Sequence, residues 1–234
     1  MFLSLCFSIL SCSEFEVISD TSEQDFVHNK KDQDADRIVE LQDTGTQDDI
    51  DYEGICEIQY EPNPFIDDVV SFVPGSGAGF GQEAYPDIVF GPPKGQGSNA
   101  GSLDVLSLGS YGEMVVVFDD WIIHDGDGAD VIIFENPFTG WVELAEISAS
   151  MDGETWHTWP CDTETWVGCA GITPVLSHPD NCIDARDLQH AGGDVFDLAD
   201  IGLEQAKYIR IRDLGTQMGG FDLDSIAIVN GHWE

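Results

Sequence analysis

The chain has 234 residues, 45 of them acidic and 8 basic, for a formal net charge of -37, and 42% of the residues are hydrophobic. A field of that sign repels phosphate backbones and anionic surfaces, which argues against a nucleic-acid partner. The apolar content is too high for a globally disordered chain, and the length suits one folded domain beside a leader and a tail.

Residues 1–11 form an apolar run too short to span a bilayer, followed at once by a cysteine and polar sequence. Ile9, Leu10, Ser11 and Cys12 resemble a bacterial lipobox, although no Lys or Arg precedes the run. We therefore expect residues 1–12 to be a lipoprotein signal peptide, with Cys12 lipidated and the chain exported and anchored to the membrane at the cell surface. Ser13 is compatible with sorting to an outer membrane. Residues 13–54 carry 14 acidic and 3 basic residues without an apolar period and are expected to be a disordered tether.

Beyond residue 55 the pattern changes to short β-rich runs between Gly, Pro, Asp and Asn clusters. Strands are expected at 69–73, 102–108, 113–118, 130–135, 142–150, 156–159, 207–212 and 224–229. One short helix is expected at 198–205, so 55–234 should be an all-β domain, an antiparallel β-sandwich with at most one or two short helices. In the 207–212 run Ile209 and Ile211 face inward, while Arg210 and Arg212 are expected to pair with acids on a neighbouring strand.

Four cysteines follow Cys12, an even number that in an exported chain suggests two disulfides with three possible connectivities. Cys161 with Cys169 is the local choice, leaving Cys56 for Cys182.

The segment ISASMDGETWHTW, then AKYIRIRDL and FDLDSIAIVN, resembles the closing half of discoidin-like, galactose-binding-like β-sandwich (jelly-roll) domains. GAGFGQEAYPDIVFGPPKGQG, LDVLSLG, DGDGADVIIFENPF, PCDTETWVGCAG and AGGDVFDLADIGL together resemble a family of uncharacterised bacterial cell-surface proteins. The resemblance spans most of 70–230 and implies the fold and a surface location. It implies no reaction, and sugar binding only by analogy.

The densest local chemistry is HDGDGAD, where Asp125, Asp127 and Asp130 are separated by glycines that allow sharp turns. Several hard oxygens could then meet one Ca2+. The alternative is a Gly-Asp hairpin whose carboxylates cap backbone N–H groups. Asp222 and Asp224 share parity with Ile226 and Ile228, and Glu135 ends a run that is apolar on both faces, so these three acids join the expected calcium set. Asp194 and Asp197 are weaker candidates, because either could cap the short helix.

Trp121, Trp141 and Trp166 are the expected ligand-binding aromatics, with Trp156 assigned to the core. The Gly-rich stretch 75–81 lacks the features of a phosphate loop, and no G-x-S-x-G or H-E-x-x-H motif is present. These features favour a noncatalytic, calcium-stabilised binding or adhesion module with a carbohydrate or surface-protein ligand. A structural surface lipoprotein or a two-carboxylate glycoside hydrolase is the alternative.

Overall fold

The chain divides after Ile50, and a computed structural model describes residues 58–233, within the second unit. The expected signal peptide, Cys12, the tether and Cys56 lie outside the described residues.

The domain is an all-β sandwich built from antiparallel strands. One layer is a five-stranded sheet of β1 (Asp68–Val73), β3 (Glu113–Val117), β10 (Tyr208–Asp213), β6 (Ala145–Ser150) and β7 (His157–Thr158), adjacent in that order. Smaller sheets complete the fold. β12 (Ser225–Ile228), β5 (Val131–Phe134) and β8 (Asp194–Phe196) form the first. β13 (Gly231–Trp233), β4 (Trp121–His124) and β9 (Gln205–Ala206) form the second, and β11 (Asp222–Leu223) pairs with β2 (Leu106–Ser107).

Alternation fixes what each layer buries, because successive side chains of a strand point to opposite faces. Met114 and Val116, Ile147 and Ala149, and Ile209 and Ile211 enter one apolar core from the five-stranded sheet. Val131, Ile133, Ile226, Ile228 and Ile123 meet them from the smaller sheets. β5 is apolar on both faces for a reason: Ile132 and Phe134 enter a second cluster with Phe65, Val175, Ala185 and Ala191. The loop carrying the last three residues therefore covers the outer face of that sheet.

Five short strands, β4, β8, β9, β11 and β13, lie outside the expected ones. The expected helix at 198–205 is a single 3-10 turn, Leu198–Ile201, begun by the Asp197 side chain accepting from the Ala199 N–H. Gly202 closes it at φ 68, a left-handed position that glycine adopts without a Cβ penalty, and Gln205 already belongs to β9. Parity does not run from Asp222 to Ile228 as expected. Leu223 and Ile226 both enter the core, so the chain shifts by one residue where β11 gives way to β12.

Cys161 and Cys169 are joined. Cys182 is also disulfide-bonded, and its expected partner Cys56 is outside the described residues. Trp159 rather than Trp156 is the core tryptophan: it is buried against Phe196, and its indole N–H donates to the Asp197 carbonyl. Trp156 is half-buried beneath the Arg210 guanidinium, 4.6 Å from the ring centroid. Arg210 thus stacks, and donates to the Ser148 hydroxyl, whereas Arg212 does meet an acid on the next strand, Glu146 at 3.6 Å.

Loop backbone amides find acceptors in buried aspartates. Asp213, at the end of β10, accepts from the N–H groups of Tyr111, Gly215 and Phe221 at 2.7, 2.7 and 2.9 Å. Charge-assisted bonds of this kind are the strong ones, and losing the acceptor strands three donors, that of Phe221 buried and the other two partly so. Asp213→Ala should lower unfolding free energy by about 3 kcal/mol or more in urea titrations. Asp213→Asn, which keeps one acceptor oxygen, should cost less.

Candidate functional site

The six acids expected around one ion divide into three places. Asp130 precedes β5 and Glu135 follows it. At a rise of about 3.3 Å per residue these two lie roughly 16 Å apart and cannot share a ligand sphere.

Around Asp130, one oxygen each from Asp125, Asp130 and Asp197 come within 4.8 Å of one another. Asp127 is exposed on the same turn and is not part of the trio. Asp130 is fully buried, and its carboxylate is already occupied. It accepts from Gly126 N–H and the Asn230 amide, both at 2.9 Å, and from Leu198 N–H at 2.8 Å. Asp197 is engaged in capping the 3-10 turn. This is the Gly-Asp hairpin alternative in its geometry: a carboxylate that ties the β4–β5 turn to the 3-10 turn and to the chain after β12.

Asp224 is buried apart from that trio. Both its oxygens accept from the Lys94 backbone N–H, at 3.1 and 3.0 Å, while the Lys94 ammonium pairs with Asp104. Burial pushes the Asp224 carboxyl up to about 7, against the pull of the Lys94 N–H.

The third place joins Glu135 and Asp222 to an acid the sequence reading missed, Glu143. Glu135 is 2% exposed, and its Oε2 is buried without a hydrogen-bond partner. Burial raises its carboxyl well above the usual range, and the neighbouring Asp222 and Glu143 charges add to the rise. Glu143 is buried too and is pushed up to about 7, first by desolvation and then by Asp222. Asp222 is raised by burial, with Asp213 adding repulsion. The signal for Glu143 was present as parity: it shares that of Ala145, Ile147 and Ala149, which face the core.

Beside this acidic group lies a pocket of about 520 Å³ lined by Gly140, Val142, Leu144, Thr163, Trp166, Thr216 and Gln217. Glu143 lies between two of its wall residues but is not itself part of the lining. The Leu144 N–H donates to the Thr216 hydroxyl oxygen at 3.1 Å, which ties the two walls together. Trp166 is 46% exposed and held at φ 68, a conformation that costs a bulky L-residue roughly 1 kcal/mol or more. The Cys161–Cys169 loop holds it there, with Trp166 N–H on the Asp162 carbonyl at 2.6 Å and Asp162 N–H on the Val167 carbonyl at 3.0 Å. Trp141, next to the pocket wall, is partly exposed and stacks on Phe138 at 6.4 Å with the rings 7° from parallel. Trp121 belongs elsewhere, edge-to-face with Trp233 on the adjacent strand β13. The structure thus brings Trp166 and the Trp141 segment together and leaves Trp121 apart.

No protein-family model matches the chain, and no curated protein is significantly similar to it.

Carboxyls whose native values lie above the unfolded ones, about 4, bind more protons in the folded chain than in the unfolded chain between those two limits. Stability in chelator-treated buffer should therefore fall as pH rises from about 4 to about 7, each such group contributing at most about 1.4 kcal/mol per pH unit. Urea titrations at intervals across that range measure the slope, and Asp224→Asn should flatten it.

Proposed function

We propose that this chain is an exported, surface-anchored binding module, stabilised by Ca2+, whose ligand is an uncharged, flat-faced molecule of the carbohydrate class. The observation that carries the reading is Trp166, an exposed indole held in a strained backbone conformation at the edge of a pocket whose other walls are neutral. Strain in an exposed, bulky residue is the kind of local cost that accompanies functional placement.

The lining fits that ligand class. An indole face and the aliphatic Val142 and Leu144 suit the apolar face of a sugar ring, while Thr163, Thr216 and Gln217 supply hydroxyl and amide partners for its hydroxyls. In a chain of net charge -37, a pocket without a carboxylate in its lining avoids repelling or desolvating anionic groups. The same fact disfavours two-carboxylate glycoside hydrolysis at this pocket, since no carboxylate is part of its lining. The surface location rests on the lipobox-like Cys12 and on the resemblance to bacterial cell-surface proteins. The cysteine pair at 161 and 169 agrees with an oxidising compartment.

A glycan array probed with the full chain should give hits that Trp166→Ala removes, with a loss of about 30-fold or more in affinity by calorimetry, the scale of an aromatic anchor. Unchanged binding by Trp166→Ala would defeat the assignment of this pocket.

A further inference from the structure

We infer that the ligand of the Trp166 pocket is an internal stretch of an uncharged polysaccharide chain, held along a groove of three adjoining pockets that runs from Tyr111 past Trp166 to β8. The inference rests on the binding reading above and deepens it from a single sugar to a chain.

Shared walls join the pockets. Thr216 and Gln217 line the neutral pocket described above and also a second pocket of about 540 Å³, which takes in Ser76, Gly77 and Ser110. Trp166 likewise lines the neutral pocket and a third one of about 310 Å³, which reaches Thr173, Val195 and Asp200. The second and third pockets have no lining residue in common among the described residues, so the Trp166 pocket lies between them and the run has two ends. A pocket for one small molecule occupies roughly 300–1,000 Å³. Each of the three joined pockets falls in that range, which is room for several ring units in sequence.

A second strained aromatic stands at the end away from β8. Tyr111 is 73% exposed at φ 63. It follows Ser110, and its ring packs on Gly215, where a Cβ would collide with it; Ser110 and Gly215 both line the second pocket. One oxygen of Asp213 fixes this arrangement by accepting from the Tyr111 and Gly215 N–H groups, both at 2.7 Å. Among the described residues three other than glycine hold a positive φ, Tyr111, Trp166 and Cys182. The two aromatics among them are exposed and border one run of pockets, and local strain of this kind gathers at ligand-binding sites. The Gly-rich stretch 75–81 acquires a role as well. Ser76 and Ser110 exchange backbone hydrogen bonds at 3.2 and 2.8 Å, which fixes its turn as part of the second pocket.

The lining selects the polymer. The two neutral pockets offer the hydroxyls of Ser76, Ser110, Thr163 and Thr216 and the amide of Gln217, with no charged group among the described residues. Hydroxyls and amides both donate and accept, as a polyhydroxylated chain requires. In the third pocket Asp194 already accepts three backbone N–H groups, whereas Asp200 is exposed and can accept from sugar hydroxyls. A net charge of -37 repels phosphate polymers and anionic polysaccharides, and a basic peptide would find no carboxylate in the two neutral pockets.

The test is calorimetric titration of the full chain with neutral oligosaccharides graded from one to six residues, in glucose, mannose, xylose and galactose series. In the series that binds, affinity should rise by about tenfold or more from one residue to six, as successive pockets fill. Trp166→Ala should remove binding at every length. Tyr111→Ala at one end and Val195→Glu at the other should each cut the gain with length severalfold, and Ser76→Glu, at an exposed position of the second pocket, replaces Tyr111→Ala if that variant does not fold. Trp166-dependent binding of equal strength for one residue and six, or a gain with length that no end variant reduces, would overturn the groove and leave the single-sugar pocket standing. Absence of binding at every length would overturn both readings. Capture of neutral peptides from a peptide array, without any glycan binding, would overturn the sugar chain in favour of a protein segment.

Discussion

The fold depends on buried aspartates that close around backbone N–H groups. Asp130, Asp194, Asp213 and Asp224 are each buried, and each accepts backbone N–H groups from loops that the strand ladders do not reach. Asp194 receives Gly171, Ile172 and Thr173 in succession, which fixes the long loop that covers the outer face of β5. Several ladders are only two residues long, so much of the chain has to satisfy its amides in this way. The acidity of the chain is thus partly architectural.

Acids also gather near Asp213. Glu143 is drawn down by the Trp141 side chain and the Gly220 N–H, and Glu135 by the Asn136 and Asp222 N–H groups, although burial and neighbouring carboxylates outweigh them. Asp213, held by three N–H groups, lies close enough to Glu143 and Asp222 for its charge to raise both.

The neutral pocket and the acidic mouth are two faces of the same two segments. Residues 140–144 and 215–222 present Val142, Leu144, Thr216 and Gln217 to the pocket and Glu143 and Asp222 to the interior. That alternation is how a strongly acidic protein keeps a pocket free of carboxylates. Trp166 comes to the same pocket by another route, on a loop held by the Cys161–Cys169 bridge.

Alternation and turn chemistry determined a good deal without coordinates. The sandwich class, the inward Ile209 and Ile211, the Cys161–Cys169 pair and the burial of Glu135 and Asp224 follow from local patterns, because a strand's period of two acts on each residue wherever the strand goes. The short strands β4, β8, β9, β11 and β13 escaped, since two to four residues carry too little period, and the helix was overextended because Gly202 stops it. Parity also marked Glu143 and Asp213 as inward, although neither was singled out. Only the tertiary structure decided which carboxylates share a neighbourhood. Asp125, Asp127 and Asp130 looked like one set because they are close in sequence, yet Asp197 joins Asp125 and Asp130 while Asp127 faces water. Glu135, Glu143 and Asp222 belong to segments that pair with different strands, so their mutual influence is a relation between distant residues that no local pattern records.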